Sequence, residues 1–469
     1  MSLKYIKAGL VALFIFCLLL STASSPPIPI EQAMSMRASI RNYTGADISQ
    51  QHLLDALKAA YGYWGDHRSI PLVSSNYCLS IFVVNSTGSY LYNPGTNTVS
   101  VYNLSVDKDQ ISPKITQGYA SSASVVLIIV WNQTKQSNVY FASLEAGFLV
   151  QNVYLAVLPF GLGTVCVTTI DSSGLVTDLN LSPEMTPLLA MPIGEPPTEY
   201  PSATPDYTRM NGNLPPVQYS TMSFEDALGS LLYAVDWSNQ SLSTQELSQL
   251  LWASYGYSST DHRTVPAAVG VYTLKIYFSN STGIYNYIPE SHSITTVASG
   301  DKRIDIASAG GGTWAANAPV IFIMVYDSTM GNDGGLVSHE WVEVNTGTAI
   351  QNMLLEAAAW NLSGNVLSQG LQDWDGAGAE SLRTILGLSS SFIPLYVVPI
   401  GHDGVVPEFS TFLILLLIAV VTIVAIVFVK VYDRRKPDAL LSCWYASKKL
   451  QIQLRYLKRR INKVPAYSR

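Results

Sequence analysis

Histidine, cysteine and serine side chains could carry acid–base, metal or nucleophilic chemistry in this chain, and their spacing excludes the common arrangements. The six histidines and four cysteines show no zinc-binding spacing, and no Gly-x-Ser-x-Gly elbow of a serine hydrolase is present. Two histidines recur in similar surroundings, in Asp66-His67-Arg68 and in Asp261-His262-Arg263. We interpret both as structural residues rather than proton donors, so the sequence predicts no catalytic side chain and no metal ligand.

The cysteines are few and leave one question open. Cys17 lies in an apolar leader and Cys443 lies near the C-terminal end, so only Cys78 and Cys166 belong to the central part of the chain. Both stand in apolar runs typical of strands. An oxidising compartment would permit a disulfide between them, and two separate buried thiols are an equally good interpretation.

The two histidine segments belong to an internal repeat. Tyr61-Gly62-Tyr63 with Asp66-His67-Arg68 recurs, 194 or 195 residues later, as Tyr255-Gly256-Tyr257 with Asp261-His262-Arg263. Each copy continues with a strand, the sequence Asn-Ser-Thr-Gly, a tyrosine-rich segment and an apolar strand. Each then has a glycine followed by a Gln-Asn pair, and closes on Pro-Ile-Gly. We infer the duplication of a domain of about 180 residues, a unit too long for a solenoid.

The repeat also predicts the elements that must position these motifs. In each copy we expect two helices, a strand, an irregular segment, a strand, a long helix and a last strand, an α+β order with a helix-covered mixed sheet. The predicted strands are residues 79–84, 125–131, 274–278 and 320–326. We place the copies at residues 30–197 and 219–403, joined at 198–218 by a linker rich in Pro, Tyr and Asn.

The repeated motifs resemble the nitroreductase family of flavin enzymes, in particular its small and azoline-dehydrogenase-like branches. In the first copy the likeness rests on Arg37-Ala38-Ser39-Ile40-Arg41, Tyr61-Gly62, Leu144-Glu145-Ala146-Gly147 and Phe160-Gly161-Leu162-Gly163. In the second copy it rests on Tyr255-Gly256, Pro266-Ala267-Ala268 and Tyr285-Asn286-Tyr287. Family members are usually homodimers, so the resemblance implies two tandem nitroreductase-like domains that form an intramolecular pseudo-dimer.

Family members usually bind FMN at the subunit interface, and the resemblance implies which residues would hold it here. Arg37, Ser39 and Arg41 would hold the phosphate and ribityl chain, in agreement with the way that guanidinium groups fork onto phosphate oxygens. The flavin ring would pack against Pro266-Ala267-Ala268, with the backbone of Thr168-Thr169-Ile170 near its N5 atom. The flavin would carry the chemistry, reduced by an unidentified donor and oxidised by a small-molecule acceptor.

The two copies differ at these positions. The stretch of the second copy that matches the arginine segment is residues 227–232, where we expect leucine to replace both arginines. Conversely, the second copy has Pro266-Ala267-Ala268 where the first has the bulkier Pro71-Leu72-Val73. The sequence therefore predicts one composite FMN site built from both domains, and one vestigial site.

A degenerate, cofactor-free surface or binding protein on the same fold is the alternative. Asn42 lies in a glycosylation sequon inside the arginine segment, and only Arg209 in the linker offers a further cation. Thr168-Thr169-Ile170 lacks the glycines common near the flavin in the family. An azoline-forming dehydrogenase is a third possibility, which would need a peptide substrate and partner proteins.

The charge distribution predicts that the two copies lie outside a membrane. Residues 1–23 have the basic start, apolar run and small residues of a secretory signal peptide, with an uncleaved anchor as the alternative. Residues 409–429 contain no charge and are long enough to span a bilayer. The last 40 residues carry 12 Lys and Arg against 2 Asp and Glu, while the chain as a whole has a net charge of −6. The positive-inside rule then predicts a single-pass protein with an extracytoplasmic body and a cytoplasmic tail at 430–469.

Further patterns agree with an exported, glycosylated body. Eight Asn-x-Ser/Thr sequons precede the predicted span, at Asn42, Asn85, Asn103, Asn132, Asn180, Asn239, Asn280 and Asn361. The acidic body argues against a nucleic-acid partner. Pro407-Glu408-Phe409 resembles the Pro-Glu-Phe sorting signal of archaeal surface proteins, although this tail is longer than usual. The tail mixes apolar and basic residues, typical of an amphipathic helix on the membrane surface or one bound to a cytoplasmic partner.

Overall fold

The computed structural model describes residues 28–404, except residues 199, 201, 202, 260, 261, 332–336, 369, 370, 372, 373 and 375. The predicted signal peptide, the span at 409–429, the Pro-Glu-Phe pattern and the tail at 430–469 lie outside the described residues.

The first copy of the repeat contains five α-helices and eight strands among its described residues. The helices are α1 (Ile30–Met36), α2 (Gln50–Tyr61), α3 (Lys108–Ile111), α4 (Val139–Ala156) and α5 (Ser172–Asp178). The strands are β1 (Tyr63–Trp64), β2 (His67–Arg68), β3 (Leu79–Asn85), β4 (Gly88–Asn93), β5 (Thr98–Asn103), β6 (Val125–Asn132), β7 (Gly163–Thr164) and β8 (Met185–Gly194).

The second copy repeats this order after one 3₁₀ turn, Tyr207–Arg209, in the connecting segment. Its helices are α6 (Phe224–Gly229), α7 (Thr244–Tyr255), α8 (Arg303–Ala309), α9 (Ser328–Gly331), α10 (His339–Ala359) and α11 (Ala377–Leu386). Its strands are β9 (Leu274–Ser279), β10 (Gly283–Ile288), β11 (Ser293–Ser299), β12 (Val320–Asp327), β13 (Leu362–Gly364) and β14 (Phe392–His402).

Each copy has one six-stranded sheet, and the two sheets share one strand order. The orders are β5-β4-β3-β6-β8-β7 and β11-β10-β9-β12-β14-β13. The predicted strands are confirmed as β3, β6, β9 and β12. The prediction of a mixed sheet is wrong for the named strands, whose ladders are all antiparallel. Parallel pairing among the described residues is confined to two isolated bridges.

The segment that we expected to be irregular forms a hairpin in both copies. In the first, the Asn85 side-chain oxygen accepts from the backbone N–H and the hydroxyl of Thr87 at 2.9 and 2.7 Å, and Gly88 takes a φ of +140°. The second copy repeats the contact between Asn280 and Thr282 at 2.9 and 2.6 Å. These turns reverse the chain, so the tyrosine-rich segments return as β4 and β10.

The core lies between the sheets, around the two long helices α4 and α10. They cross at Gly147 and Gly347 with almost no space between their backbones. A Cβ atom added to Gly147 would lie 2.2 Å from the Val344 carbonyl oxygen, and one added to Gly347 would lie 2.3 Å from the Leu144 carbonyl oxygen. The repeated glycine is therefore required by this close helix–helix approach, which joins the two copies.

One helical stretch among the described residues has the length and apolarity of a membrane span. Val139–Phe160, which includes α4, has 22 residues, and its most apolar 18-residue window has a mean hydropathy of 1.4 and is buried inside the protein. Burial on all sides is expected of the central helix of a large core, so this stretch is not the predicted anchor.

The two central cysteines are free thiols, so the open question of a disulfide is settled against pairing. Cys78 is buried in the core, and its thiol donates to a carboxylate oxygen of Glu145 at 3.4 Å. Burial raises the pKa of the Cys166 thiol to about 12, which keeps it protonated near neutral pH.

The connecting segment is fastened to the second copy by a buried histidine. His292 is 1% exposed, and its Nε2 lies 3.2 Å from the Pro215 carbonyl oxygen, which can only accept. The Ser248 hydroxyl lies 2.7 Å from Nε2 and donates to the same carbonyl at 2.6 Å, so it can accept from Nε2. We therefore assign the proton to Nε2, and Nδ1 accepts from the Tyr287 hydroxyl at 2.9 Å. Burial lowers the pKa of His292 to about 4, so it is neutral in the folded protein.

Acidification is expected to destabilise the protein through this group. Between pH 6.5 and 4 an unfolded histidine binds a proton that folded His292 does not, so the free energy of unfolding falls as the pH falls through this window. The contribution is about 3 kcal/mol at most. Urea denaturation across this range should show a weaker pH dependence in His292→Asn than in the wild type, while the exposed control His262→Asn should follow the wild type. Parallel curves for all three proteins would contradict the assignment.

Candidate functional site

A cavity of about 480 Å³ lies between the two copies, a volume typical of small-molecule sites. The first copy contributes Ser39, Arg41, Gln117, Tyr119, Tyr154, Val165, Cys166, Thr168 and Thr169. The second copy contributes Pro266, Ala267, Ala268, Val269, Gly270, Trp341, Val344 and Asn345. Each copy therefore supplies about half of the wall.

Seven of the nine residues that the sequence singled out for a cofactor line this cavity. They are Ser39, Arg41, Thr168, Thr169, Pro266, Ala267 and Ala268. Ile170 and Arg37 do not line it. Ile170 instead pairs with Ile115 in an isolated antiparallel bridge and packs against a hydrophobic cluster of the first copy.

Two glycines explain why the arginine segment lies against the end of α4. Gly161 takes a left-handed conformation, with a φ of +66°, directly after the 3₁₀ turn that follows the helix. A Cβ at Gly163 would lie 2.5 Å from the Ile40 side chain, so only glycine permits this contact. The Ile40 backbone N–H then donates to the Thr164 carbonyl at 2.9 Å. These contacts fix the backbone on both sides of Ile40.

Ser39 is oriented by a buried tyrosine that sequence reasoning did not find. The Tyr154 hydroxyl accepts from the Cys166 backbone N–H at 2.9 Å and lies 3.0 Å from the Ser39 hydroxyl. Burial raises the pKa of Tyr154, so its hydroxyl keeps its proton. When Tyr154 donates that proton to Ser39, the Ser39 hydroxyl is left to donate to a ligand.

Arg41 is the cation that borders the cavity. Its guanidinium donates to the Ser39 carbonyl at 3.2 Å and lies 5.9 Å from the centroid of the Tyr119 ring. The side chain is exposed on its outer side, so it can meet an anion that enters from solvent. The sequon residue Asn42 is also exposed, and it is not part of the cavity wall.

Arg37 lies behind this wall and is 3% exposed. One terminal nitrogen donates to the Arg263 carbonyl of the second copy at 3.2 Å, and the guanidinium carbon lies 5.2 Å from the centroid of Tyr154. Its Nε and Nη1 atoms are buried without a hydrogen-bond partner among the described residues. A buried guanidinium without a compensating anion is energetically unfavourable.

Asn345 forms hydrogen bonds with the backbone of the Pro266-Ala267-Ala268 loop, and the sequence did not indicate this residue. The Asn345 amide nitrogen donates to the Pro266 carbonyl at 2.6 Å, and its oxygen is 3.5 Å from the Ala268 backbone nitrogen. The next residue, Val269, has a φ of +48° and is 61% exposed. Such a conformation is unfavourable for a β-branched residue and is found mostly where function requires a fixed loop shape.

The repeated Tyr-Gly-Tyr motif and Arg263 lie just before this loop and contact each other. The Arg263 guanidinium carbon lies 4.5, 4.6 and 4.8 Å from the ring centroids of Tyr255, Tyr257 and Tyr272. Arg263 also pairs with Glu290 at 3.0 Å. A guanidinium enclosed by aromatic faces is held by cation–π attraction, so the chain that leads to the loop is rigid.

The first copy repeats this arrangement at Arg68. Its guanidinium carbon lies 4.4, 4.8 and 4.4 Å from the ring centroids of Tyr61, Tyr63 and Tyr77. Neither motif histidine lines the cavity between the copies: His67 contacts the Leu228 carbonyl and His262 contacts the Ser259 hydroxyl. These contacts agree with their interpretation as structural residues.

The repeated Gln-Asn pairs form a buried amide network across the two copies. The Gln151 amide donates to the Asn352 side-chain oxygen at 2.7 Å, and the Asn352 amide donates to the Thr264 carbonyl at 3.2 Å. The other half repeats this with Gln351, Asn152 and Ser69 at 2.9 and 3.1 Å. Since Thr264 directly precedes Val265 and Pro266, the network ties the cavity loop to both long helices.

The isolated parallel bridges define which residues of the two copies correspond. Ser39 pairs with Thr164 in the first copy, and Tyr233 pairs with Gly364 in the second. Tyr233 is therefore the counterpart of Ser39. Its hydroxyl donates to the Arg68 carbonyl at 3.3 Å.

This register corrects one sequence prediction. Two residues on either side of Tyr233 are Leu231 and Val235, the counterparts of Arg37 and Arg41. The prediction that leucine replaces both arginines is right for the first and wrong for the second, because the sequence match was displaced by a few residues. Leu231 is 5% exposed and Val235 is 61% exposed, so an apolar residue stands at both places.

Comparison with known proteins agrees with this architecture. The sequence profile of the Nitroreductase family matches residues 34–195 and 236–402, which together exceed half of the chain. A protein of Methanocaldococcus jannaschii, described as a nitroreductase, is 29% identical over 182 residues, 36% of this chain and 91% of that protein.

One solved structure shows similarity of fold over most of the chain. A protein of Anabaena variabilis, described as a nitroreductase, is similar over 81% of this chain and 93% of its own, with a TM-score of 0.62 and 13% identity. Another from Desulfovibrio desulfuricans, solved in complex with FMN, covers 40% of this chain and 99% of its own, with a TM-score of 0.30 and 21% identity.

Proposed function

This chain belongs to the nitroreductase family, and on that premise we propose that it is a flavoprotein oxidoreductase with one FMN bound between its two copies. The observation that carries the proposal is the composite cavity. The arginine segment of the first copy and the Pro266-Ala267-Ala268 loop of the second, which are far apart in sequence, border the same space.

The residues around the cavity fit a planar ligand that carries a phosphate. Arg41 offers a guanidinium at the rim and Ser39 offers a hydroxyl proton. Ala267 and Ala268 have short side chains, so a flat ring can approach their backbone. The buried, unpaired nitrogens of Arg37 lie behind Tyr154 and add positive potential at the same end.

The chemistry supplied by FMN there would be electron and hydride transfer from a small-molecule donor to a small-molecule acceptor. The protein's part would be binding and orientation. Arg41 would bind the phosphate, Ser39 would donate to the ribityl chain or phosphate, and Trp341 and Tyr119 would form part of the wall around the cofactor. No side chain has to serve as a nucleophile, and the protonated Cys166 thiol is not suited to do so.

A cofactor-free binding protein is the second candidate, and one observation favours it. Arg209 was the only further cation that the sequence offered, and its Nε pairs with Asp206 at 3.2 Å while its guanidinium stacks 4.1 Å from the centroid of Tyr257. It does not border the cavity. Arg41 is thus the only Lys or Arg among the lining residues.

Flavin titration of the full chain separates these two candidates. We expect FMN to bind and Arg41→Ala to weaken binding by about 10- to 100-fold, because a charged hydrogen bond to phosphate contributes roughly 1.5–3 kcal/mol. Flavin fluorescence quenching gives the Kd, and riboflavin, which lacks the phosphate, should be insensitive to the substitution.

Arg383→Ala is the control for the loss of one arginine, since Arg383 lies on α11, pairs with Glu380 and does not line the cavity. Absence of FMN from the purified protein, together with no binding of added FMN, would overturn the flavoprotein proposal and leave the cofactor-free candidate.

We also propose that both copies lie outside the cytoplasmic membrane and are anchored by residues 409–429. All eight sequon asparagines are exposed or partly exposed in the structure, so a glycan could be attached at each without entering the core. Protease treatment of intact cells tests this placement: the body should be cleaved from the cells and the basic tail should stay with the membrane. Full protection of the body would contradict it.

A further inference from the structure

A second cavity, of about 660 Å³, lies at the place related to the first by the repeat. Its walls come from the segment after Pro71, the start of α4, the 3₁₀ segment at Trp314 and the strand-like residues before Ser368. Each of these segments has a counterpart in the opposite copy, and the counterparts line the first cavity. This part of the second site is therefore open, and its volume is larger than that of the first cavity.

The second cavity has lost the means to hold a phosphate. None of its lining residues is Lys, Arg, His, Asp or Glu. The residues that correspond to Arg37, Ser39 and Arg41 are Leu231, Tyr233 and Val235, and none of them borders this cavity. An ion placed here would give up its hydration without a compensating charge, so a neutral ligand is favoured.

The remaining polar groups suit a ligand rich in hydroxyl groups. Ser74, Ser75 and Ser137 offer hydroxyls. The Gln136 side-chain oxygen accepts from the Asn138 backbone N–H at 2.9 Å, which leaves its amide nitrogen to donate into the cavity. The cavity is thus lined mainly by uncharged hydrogen-bonding groups, unlike an apolar drug-type pocket.

An aromatic ring borders the same space. Trp314 stacks on Trp237, with centroids 5.8 Å apart and planes 14° apart, so its orientation is fixed. A fixed indole offers an apolar face together with a polar edge. Sugars have apolar C–H faces, which can pack on an indole. They also have hydroxyl groups around the ring, which can form hydrogen bonds with amide and serine side chains.

We propose that the second cavity binds a neutral carbohydrate of about disaccharide size. This site is independent of the flavin proposal, because none of its lining residues borders the first cavity.

Saturation-transfer NMR on the full chain tests the proposal with three neutral disaccharide probes: maltose, trehalose and N,N′-diacetylchitobiose. At least one should bind with a Kd of about 1 mM or tighter, and glucose 6-phosphate should bind at least tenfold more weakly than that probe. Ser137→Trp should abolish the signal, because this exposed residue borders the cavity and its new ring would occupy it. Gln136→Ala should weaken binding about fivefold even if the larger substitution disturbs folding.

Val101→Trp is the matched control, since Val101 is 61% exposed on the edge strand β5 and does not border the cavity. It should leave sugar binding unchanged, as should Arg41→Ala. Failure of all three probes, persistence of binding in the folded Ser137→Trp and Gln136→Ala variants, or loss of sugar binding in Arg41→Ala would each overturn the proposal.

Discussion

Gly147→Ala is expected to reduce the free energy of unfolding by about 2–4 kcal/mol, although alanine is the better helix former. The new Cβ would lie 2.2 Å from the Val344 carbonyl oxygen and 2.8 Å from the Gly347 Cα atom, and both are backbone atoms of the other long helix. A backbone cannot move aside as a flexible side chain can. The two helices must therefore separate, and with them the two copies whose contact forms the cavity.

Gly229→Ala provides the control for this experiment. Gly229 is also helical, and its nearest non-local contact for an added Cβ is 3.7 Å, an ordinary van der Waals distance. This substitution should be neutral or stabilise the protein by up to about 1 kcal/mol. Urea denaturation of the wild type and both variants measures the difference. Equal stability of Gly147→Ala and Gly229→Ala would show that the helices can separate at no cost.

The sequence showed that Gly147 and the Gln-Asn pair recur in the second copy, but it could not show the physical reason for the recurrence. Each of these residues contacts the matching motif of the other copy: Gly147 lies against Gly347, and Gln151 donates to Asn352. Such contacts are between residues about 200 positions apart, and no local pattern encodes them. The strands were predictable because their apolar runs are local, whereas the hairpins that follow were missed because their turns depend on a side-chain contact such as that of Asn85 with Thr87.

The candidate site was predictable where a short motif carries the chemistry. Ser39, Arg41 and Pro266 to Ala268 were placed at one cavity by resemblance, and the structure brings them together. Tyr154 and Asn345 were missed because each acts on a neighbour, Tyr154 on the Ser39 hydroxyl and Asn345 on the Pro266 carbonyl. Arg37 was placed on the cavity wall because its type suits phosphate, yet its position at the end of α1 directs it to the Arg263 carbonyl of the other copy.

Arg37 is buried with few hydrogen bonds to compensate its charge. It forms one hydrogen bond, and two of its nitrogens have no partner among the described residues. At the corresponding place the second copy has Leu231, which is equally buried. We interpret the buried charge in one copy, beside an apolar residue at the same place in the other, as a cost in stability that an anion bound nearby would offset.

Arg37→Leu should therefore change stability and flavin affinity in opposite directions. Without ligand, the free energy of unfolding of the variant should be about 1–3 kcal/mol higher than that of the wild type. The reason is that an uncompensated buried charge is removed and an apolar side chain fills its place. FMN affinity should fall tenfold or more, and the double variant with Arg41→Ala should show no measurable binding. Urea denaturation and flavin fluorescence on the same preparations supply both numbers. Arg383→Leu is the control, because Arg383 is paired with Glu380 and does not line the cavity. A variant that is less stable and binds FMN as well as the wild type would identify Arg37 as a structural link to the Arg263 carbonyl and remove it from the flavin site.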